Sequence, residues 1–259
     1  PANIWGRQLY LGLQIAGDSE MAPRPALTAA PFALRAAGTM KRTIVVSAEG
    51  TPLENGAALL AAVAAITDAS AASPVAVEVD AGTFDLGTAT LLMPSHTILA
   101  GRGQTATVIT TAPASEDNSA ALQLQAHTAV RDLTARNTGA PAGLESWSAT
   151  GISANDLASF LQPTTNVHLE RVTGESIAAN GANGQRSGIR LCAANSRAVD
   201  ITARAGGGLF ASALRADCQG ITRLRIDGAI AQVGDARDGV RGVWLTAGFG
   251  NEWRRMQVQ

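Results

Sequence analysis

Six side chains, Arg131, His168, Glu170, Asp200, Arg225 and Asp227, recur along otherwise aliphatic strands, and they are the groups on which chemistry would have to be built. Cutting a glycosidic bond takes an acid and a base held within a few ångströms of it, and carboxylates with an arginine or histidine are suitable types. If Val199 stacks on Leu224, Asp200 faces Arg225 across about 4.8 Å, the spacing of neighbouring strands. The simpler reading of that juxtaposition is a cross-strand ion pair. It is preferred here, and Asp200, Arg225, Asp227, His168 and Glu170 stand as the catalytic candidates of the alternative.

Other chemistry-bearing residues are dispersed. His96 sits beside a turn, His127 follows a strand and His168 lies on an exposed strand face, with no two at metal-ligand spacing. They read as solvated or turn-capping side chains, and no metal or cofactor is expected. Cys192 and Cys218 read either as two small buried hydrophobes or as a disulfide between adjacent coils. Gly101-Arg102-Gly103 and Gly206-Gly207-Gly208 lack the helix start and Lys-Ser/Thr pair of a phosphate loop, so they read as corners. Of the four tryptophans, Trp5, Trp147, Trp244 and Trp253, Trp147 alone falls in a long loop, which makes it the candidate for contact with a sugar ring.

The elements that must position these groups are short strands. Val75 to Val79, Leu91 to Met93, Thr97 to Leu99 and Thr107 to Thr111 are apolar runs separated by Gly and Pro turns, with no room for helices between them. From Ala120 two strand sets become countable. One contains Leu122 to Gln125, Gly151 to Ala154, Gly188 to Cys192, Ala213 to Asp217 and Gly242 to Ala247. The other contains Ala129 to Ala135, Val167 to Thr173, Ala198 to Ala203, Thr222 to Ala229 and Trp253 to Val258. Leu169, Val199, Leu224 and Arg254 give a loose repeat inside the window of about 20 to 50 residues expected of solenoids. The irregular stretches 140–148, 157–165 and 178–186 are insertions that would border any ligand site. Leu59, Leu60, Val63 and Ile66 predict one amphipathic helix over about 55–70, placed to cover an open end.

Residues 1–40 differ in character. Leu9, Leu11, Leu13 and Ile15 alternate with Tyr10, Gly12 and Gln14 as in a half-buried strand, and a Pro-rich connector follows. The chain opens at Pro1 in mid-pattern and stops inside the apparent strand that holds Trp253, Met256 and Val258, so neighbouring polypeptide or another subunit is expected at both ends.

The order apolar strand, Ala81-Gly82-Thr83-Phe84, Leu86-Gly87, strand, Pro94-Ser95-His96-Thr97-Ile98-Leu99-Ala100-Gly101-Arg102-Gly103, Thr107-Val108-Ile109 resembles the first coils of the pectate-lyase-like, right-handed parallel β-helix superfamily. Within it, residues 41–111 resemble an uncharacterised group of exported bacterial β-helix proteins more closely than any enzyme, and the resemblance covers most of the chain from Lys41 on. The stretch from Pro23 to Ala36 resembles a junction that precedes fibre, tail or β-helix modules in secreted bacterial proteins. The resemblance implies an all-β solenoid, with residues 1–40 as a strand and connector and 41–259 as the β-helix. Relatives of that fold include lyases with Ca²⁺-holding acidic clusters and hydrolases with three aspartates. The hydrolase-like Asn-Thr-Asp, Asp-Asp, Gly-His-Gly and Arg-Ile-Lys signatures do not occur in this sequence.

Charged residues make up 16% of the chain with a net charge of −1, which supplies no footprint for nucleic acid. No run of about 18 apolar residues occurs, so no helical membrane span is expected. These observations add up to a non-catalytic structural subunit of an extracellular bacterial fibre or surface adhesin, a homo-oligomer with a glycan as its other possible partner. Leu9, Leu11, Leu13 and Ile15 of one copy would add to the strand of Trp253, Met256 and Val258 of the next, giving a head-to-tail polymer. A β-helix polysaccharide lyase or glycoside hydrolase, or a trimeric phage-type tailspike, is the alternative.

Overall fold

The alternation of aliphatic and polar residues is short-ranged, so each strand can bury its apolar side only by stacking on the same strand of the next coil. The computed structural model describes residues 42–113, 119–139, 148–155, 163–178, 184–236, 238–245 and 248–259. They belong to one compact unit, Arg42–Gln259, and are nearly all strand. The expected strand at Leu9, Leu11, Leu13 and Ile15, the Pro-rich connector and Trp147 fall outside the described residues.

The fold is a parallel β-helix. One wall is built from β1 (Arg42–Val46), β2 (Val75–Val79), β5 (Thr97–Ala100), β8 (Ala129–Asn137), β11 (His168–Ile177), β14 (Arg197–Gly206), β16 (Arg225–Val233) and β18 (Glu252–Val258), hydrogen-bonded in that order. The second wall is the six-stranded sheet of β4 (Leu91–Met93), β7 (Ser119–Leu124), β9 (Ser148–Ala154), β12 (Gln185–Leu191), β15 (Phe210–Ala216) and β17 (Gly239–Leu245). A third side starts with β3 (Gly82–Asp85) on β6 (Thr107–Thr111), and β6 then pairs with the far half of β8. From β8 onward, strands of the first wall are long and bent and supply both sides. Two-residue β10 (Thr164–Thr165) and β13 (Ala193–Ala194) pair at a corner.

Stacking in register turns the core into columns. Val77, Leu99, Val130, Leu169, Ala198 and Ile226 are successive partners on the first wall, all 0–1% exposed. Leu91, Leu122, Ile152, Ile189 and Leu214 do the same on the second. Register corrects the repeat expected from sequence. Leu169 pairs with Ala198, Ala198 with Ile226 and Ile226 with Trp253, so the last three steps are 29, 28 and 27 residues. The uneven spacing through Val199, Leu224 and Arg254 came from matching residues by hydrophobicity across turns of different length.

The helix is also shifted: α1 spans Pro52–Ala64, not 55–70. Thr51 caps it by accepting from Glu54 N while the Glu54 side chain accepts from Thr51 N, and Pro52 needs no backbone donor in the first turn. Leu59 and Val63 are its buried face, and it lies so close to β3 that a Cβ on Gly56 would sit 1.9 Å from Asp85 O. Gly82–Asp85, read from sequence as a turn, is strand β3.

Two further features hold the coils. Where the walls approach each other, Gly151, Gly174 and Gly188 leave no room for a side chain; a Cβ on Gly174 would lie 2.4 Å from Ile189 Cγ1 and 2.5 Å from Gly188 O. Cys192 and Cys218 are disulfide-bonded across a Cα–Cα distance of 5.5 Å, which decides between the two readings of the pair. Gly174→Val is expected to cost about 3 kcal/mol by overpacking, read as a lower urea midpoint at unchanged m. Replacing both cysteines by serine opens a loop closed across 26 residues and is expected to cost about 2–4 kcal/mol in the same assay.

Candidate functional site

Most of the residues that sequence nominated lie on the near half of the first wall, but their neighbours differ from expectation. Asp200 does not face Arg225. Arg197 pairs with Arg225, Val199 with Asp227, and Arg225 with Glu252, leaving Asp200 level with Gly228. The correction follows from the 28-residue step between β14 and β16, which shifts every partner relative to the 25-residue spacing assumed from Val199 and Leu224.

Each long strand bends at one residue in the left-handed backbone region, and these residues are Asp132, Arg171, Asp200, Gly228 and Arg255. The side chains of Asp132 and Arg171 meet along the helix axis, as do those of Asp200 and Arg255. Arg171 Nε donates to Asp132 Oδ1 at 2.6 Å, and its Nη1 donates to Glu170. Arg255 Nε donates to Asp227 Oδ1 at 2.6 Å and also lies 3.7 Å from Asp200. Arg225 and Glu252 are 3.6 Å apart. Of this group, sequence reasoning missed Asp132, Arg171 and Arg255, since no local pattern marks which strand residue will take the bend.

These contacts set the protonation states. The hydrogen bond from Arg255 holds the Asp227 carboxyl below the usual carboxylate range, so it is an ionised, weakly basic group and a poor proton donor. Burial pushes the His168 imidazole below its ordinary value, against Glu170, which pulls it up. His168 is half-buried, correcting its placement on an exposed face. Arg131 lies beside Glu170 in the register. Arg197, Arg225, Ile226, Asp227, Glu252 and Arg254 line a shallow hollow of about 300 Å³.

A second column of left-handed residues turns the corner from the second wall into the first: His96, His127, Asn166, Asn195, Arg223 and Gly250. Here the expectation of scattered histidines is overturned, because His96 and His127 stack with ring centroids 4.6 Å apart. Coiling brings residues one repeat apart onto adjacent rungs whatever separates them in sequence. Asn166 Nδ2 lies 3.4 Å from His127 Nδ1, and Arg223 donates to Asn195 at 3.1 Å. A third column crosses the far half of the long strands. Buried Glu175 accepts from Arg136 at 2.5 Å and from Arg204 at 2.8 Å, Arg204 donates to Gln232 at 2.5 Å, and Gln232 donates to Gln259 at 2.7 Å.

The second wall has a different electrostatic character. Arg190, Arg215 and Trp244 are successive partners on β12, β15 and β17. Asp217 lies 3.4 Å from Arg190 Nε and accepts from Arg215 Nη2. Burial alone would raise the Asp217 carboxyl, but the charge and hydrogen bond of Arg215, with Arg190 behind it, bring it below its ordinary value. The guanidinium groups of Arg215 and Arg241 lie 5.0 and 4.1 Å from the centre of the Trp244 ring. A trough of about 190 Å³ opens here, lined among others by Arg186, Phe210, Arg215, Arg241 and Trp244. Trp147, the sugar-contact candidate from sequence, is outside the described residues, whereas Trp244 stands at this trough. The available signal was Arg190 and Arg215, one coil apart and each between two aliphatic residues of its strand.

No group of three or more His, Cys, Asp or Glu residues among those described is arranged to hold a metal ion. No described helix is long and apolar enough to cross a membrane.

No protein-family profile matches the sequence, and no curated protein matches it. Among solved structures, the chain is similar to the A-module of the Azotobacter vinelandii mannuronan C-5 epimerase AlgE4, at 14% identity over 78% of this chain and 72% of that one, with a TM-score of 0.34. The A-module of AlgE6 from the same organism gives 14% identity over 79% and 76%, with a TM-score of 0.28. At such scores no residue role passes from those proteins to this chain.

Asp217→Asn removes the carboxylate that Arg190 and Arg215 share and is expected to cost about 3 kcal/mol at pH 7. Because the folded-state pKa of Asp217 is depressed, its contribution is present above the unfolded value of about 3.9 and is lost as pH falls through the folded value. The difference in melting temperature between wild type and variant should therefore shrink between pH 5 and pH 2. A constant difference would contradict the assignment.

Proposed function

We propose that this chain is a non-catalytic β-helix module of an exported bacterial protein, serving as a structural or adhesive unit. The observation that carries this reading is the consumption of charge along the first wall. Asp132 with Arg171, Asp200 and Asp227 with Arg255, and Glu252 with Arg225 bind coil to coil along the axis. Groups spent on their rung neighbours tie the coils together, while an acid-base pair for cutting a bond must converge on one point outside the wall. The Cys192–Cys218 disulfide supports export, since such bonds persist in oxidising compartments.

Assembly is the second part of the proposal. Among the described residues β18 pairs with β16, and Val258 on that strand is 61% exposed; the edge of β18 beside Trp253, Met256 and Val258 is the proposed acceptor. Leu9, Leu11, Leu13 and Ile15 are the proposed incoming strand, which would make the contact heterologous and the assembly a head-to-tail polymer.

Sedimentation and electron microscopy test assembly: the chain should polymerise with concentration, and a chain lacking residues 1–16 or carrying Val258→Lys should stay monomeric. A wild-type chain that remains monomeric, or forms a closed trimer, defeats strand donation. In parallel, incubation with uronic-acid and neutral glycans should release no product. Cleavage that disappears in Asp200→Ala or Asp227→Ala would establish the lyase or hydrolase alternative in its place.

A further inference from the structure

The trough on the second wall has the make-up of a binding site that the β-helix does not need. Its lining includes three guanidinium groups, Arg186, Arg215 and Arg241, and no carboxylate among the described residues. Arg190 lies behind the trough, and Asp217 is shared between Arg190 and Arg215. At the bends of the first wall, by contrast, Asp132 meets Arg171, and Asp200 and Asp227 meet Arg255.

The state of Arg215 points to a ligand. The residue is only 8% exposed; its Nη1 donates to Gln185 Oε1 at 3.1 Å and its Nη2 to Asp217. Its Nε is buried with no hydrogen-bond partner among the described residues. An unmet donor on a buried cation costs free energy that an incoming acceptor recovers, and the planar guanidinium fork suits an oxyanion. Arg186 is fully buried beside it and donates Nη1 to Gly139 O. Burial pulls its pKa down to about 10, which leaves it cationic at neutral pH.

The trough also has an apolar side. Phe210 and Trp244 are 40% and 38% exposed. The residue on the rung beyond Phe210 is Gly239, and a Cβ there would come within 3.1 Å of Phe210 Cδ1, so glycine leaves the ring uncovered. A volume of about 190 Å³ is below the roughly 300–1,000 Å³ of pockets that enclose drug-sized ligands, which suits one charged ring better than a large molecule.

We propose that this trough binds an oxyanion-bearing ring, a sugar acid or a sulfated sugar, with its anionic group on Arg215 and Arg241 and its ring against Phe210. Specificity comes from the anion, because a neutral ring supplies no oxyanion to the unmet Arg215 Nε, and position comes from the aromatic face.

The test is calorimetric titration of the whole chain at low salt with D-glucuronate, glucose 6-sulfate, inorganic sulfate and glucose. One or both anionic sugars should bind more tightly than inorganic sulfate, and glucose should not bind; the tighter of the two identifies the oxyanion. Because Arg215 is buried and paired, its substitution risks the fold, so Arg241→Gln is the informative variant and should weaken binding about tenfold or more. Phe210→Ala should weaken the sugars and leave inorganic sulfate unchanged. Arg254→Gln, on the opposite wall, should leave all four titrations unchanged. Glucose binding as tightly as the anionic sugars, no anionic sugar binding, inorganic sulfate matching them, or affinity indifferent to Arg241 would each overturn the proposal.

Discussion

Parallel backbone hydrogen bonding between successive coils, in register, is the constraint on which the rest of this molecule depends. It fixes neighbouring strands about 4.8 Å apart and places each residue against the equivalent residue of the coils before and after it. A single preference at one coil position is thereby multiplied into a column. Inside, the columns are aliphatic, as in Leu91, Leu122, Ile152, Ile189 and Leu214. At the bends the columns consist of residues able to take a left-handed backbone, with His, Asn, Asp, Arg and Gly all recruited.

The same constraint gives polar residues two fates. Where opposite charges fall on neighbouring rungs, as in Arg136, Glu175 and Arg204, they satisfy one another along the axis and the wall closes on itself electrostatically. Where like charges fall together, as in Arg190 and Arg215, one aspartate is shared between two guanidinium groups. Burial sharpens that difference, because a desolvated guanidinium is far less screened than one in water. The two walls thus share an architecture and differ in what they offer a partner, one tied to itself and the other cationic and aromatic.

The class of fold was legible in the sequence because strand length, turn glycines and aliphatic alternation are local properties. Val75–Val79, Leu91–Met93 and Thr107–Thr111 stand where the alternation put them, and both strand sets are present. Helix α1 began earlier than its apolar spacing indicated because the Thr51–Glu54 capping box, ahead of the buried positions Leu59 and Val63, sets its start. The groups proposed to bind ligand were less legible. Trp244 and Arg215 are ordinary strand residues in sequence, and what singles them out is that they meet one coil apart with Arg241 beside them.

By itself, then, the sequence determined that short strands repeat at a coil's length, that two cysteines lie one coil apart, and that charged side chains recur on the outer faces. The tertiary structure alone decided which charges meet. Turn lengths differ from coil to coil, so the step is 29, then 28, then 27 residues, and a change of a few residues in that step moves Asp200 from Arg225 to Arg255. Alternation survives such changes because it is counted along one strand, whereas partnership is counted across the closed coil, where every insertion between strands contributes.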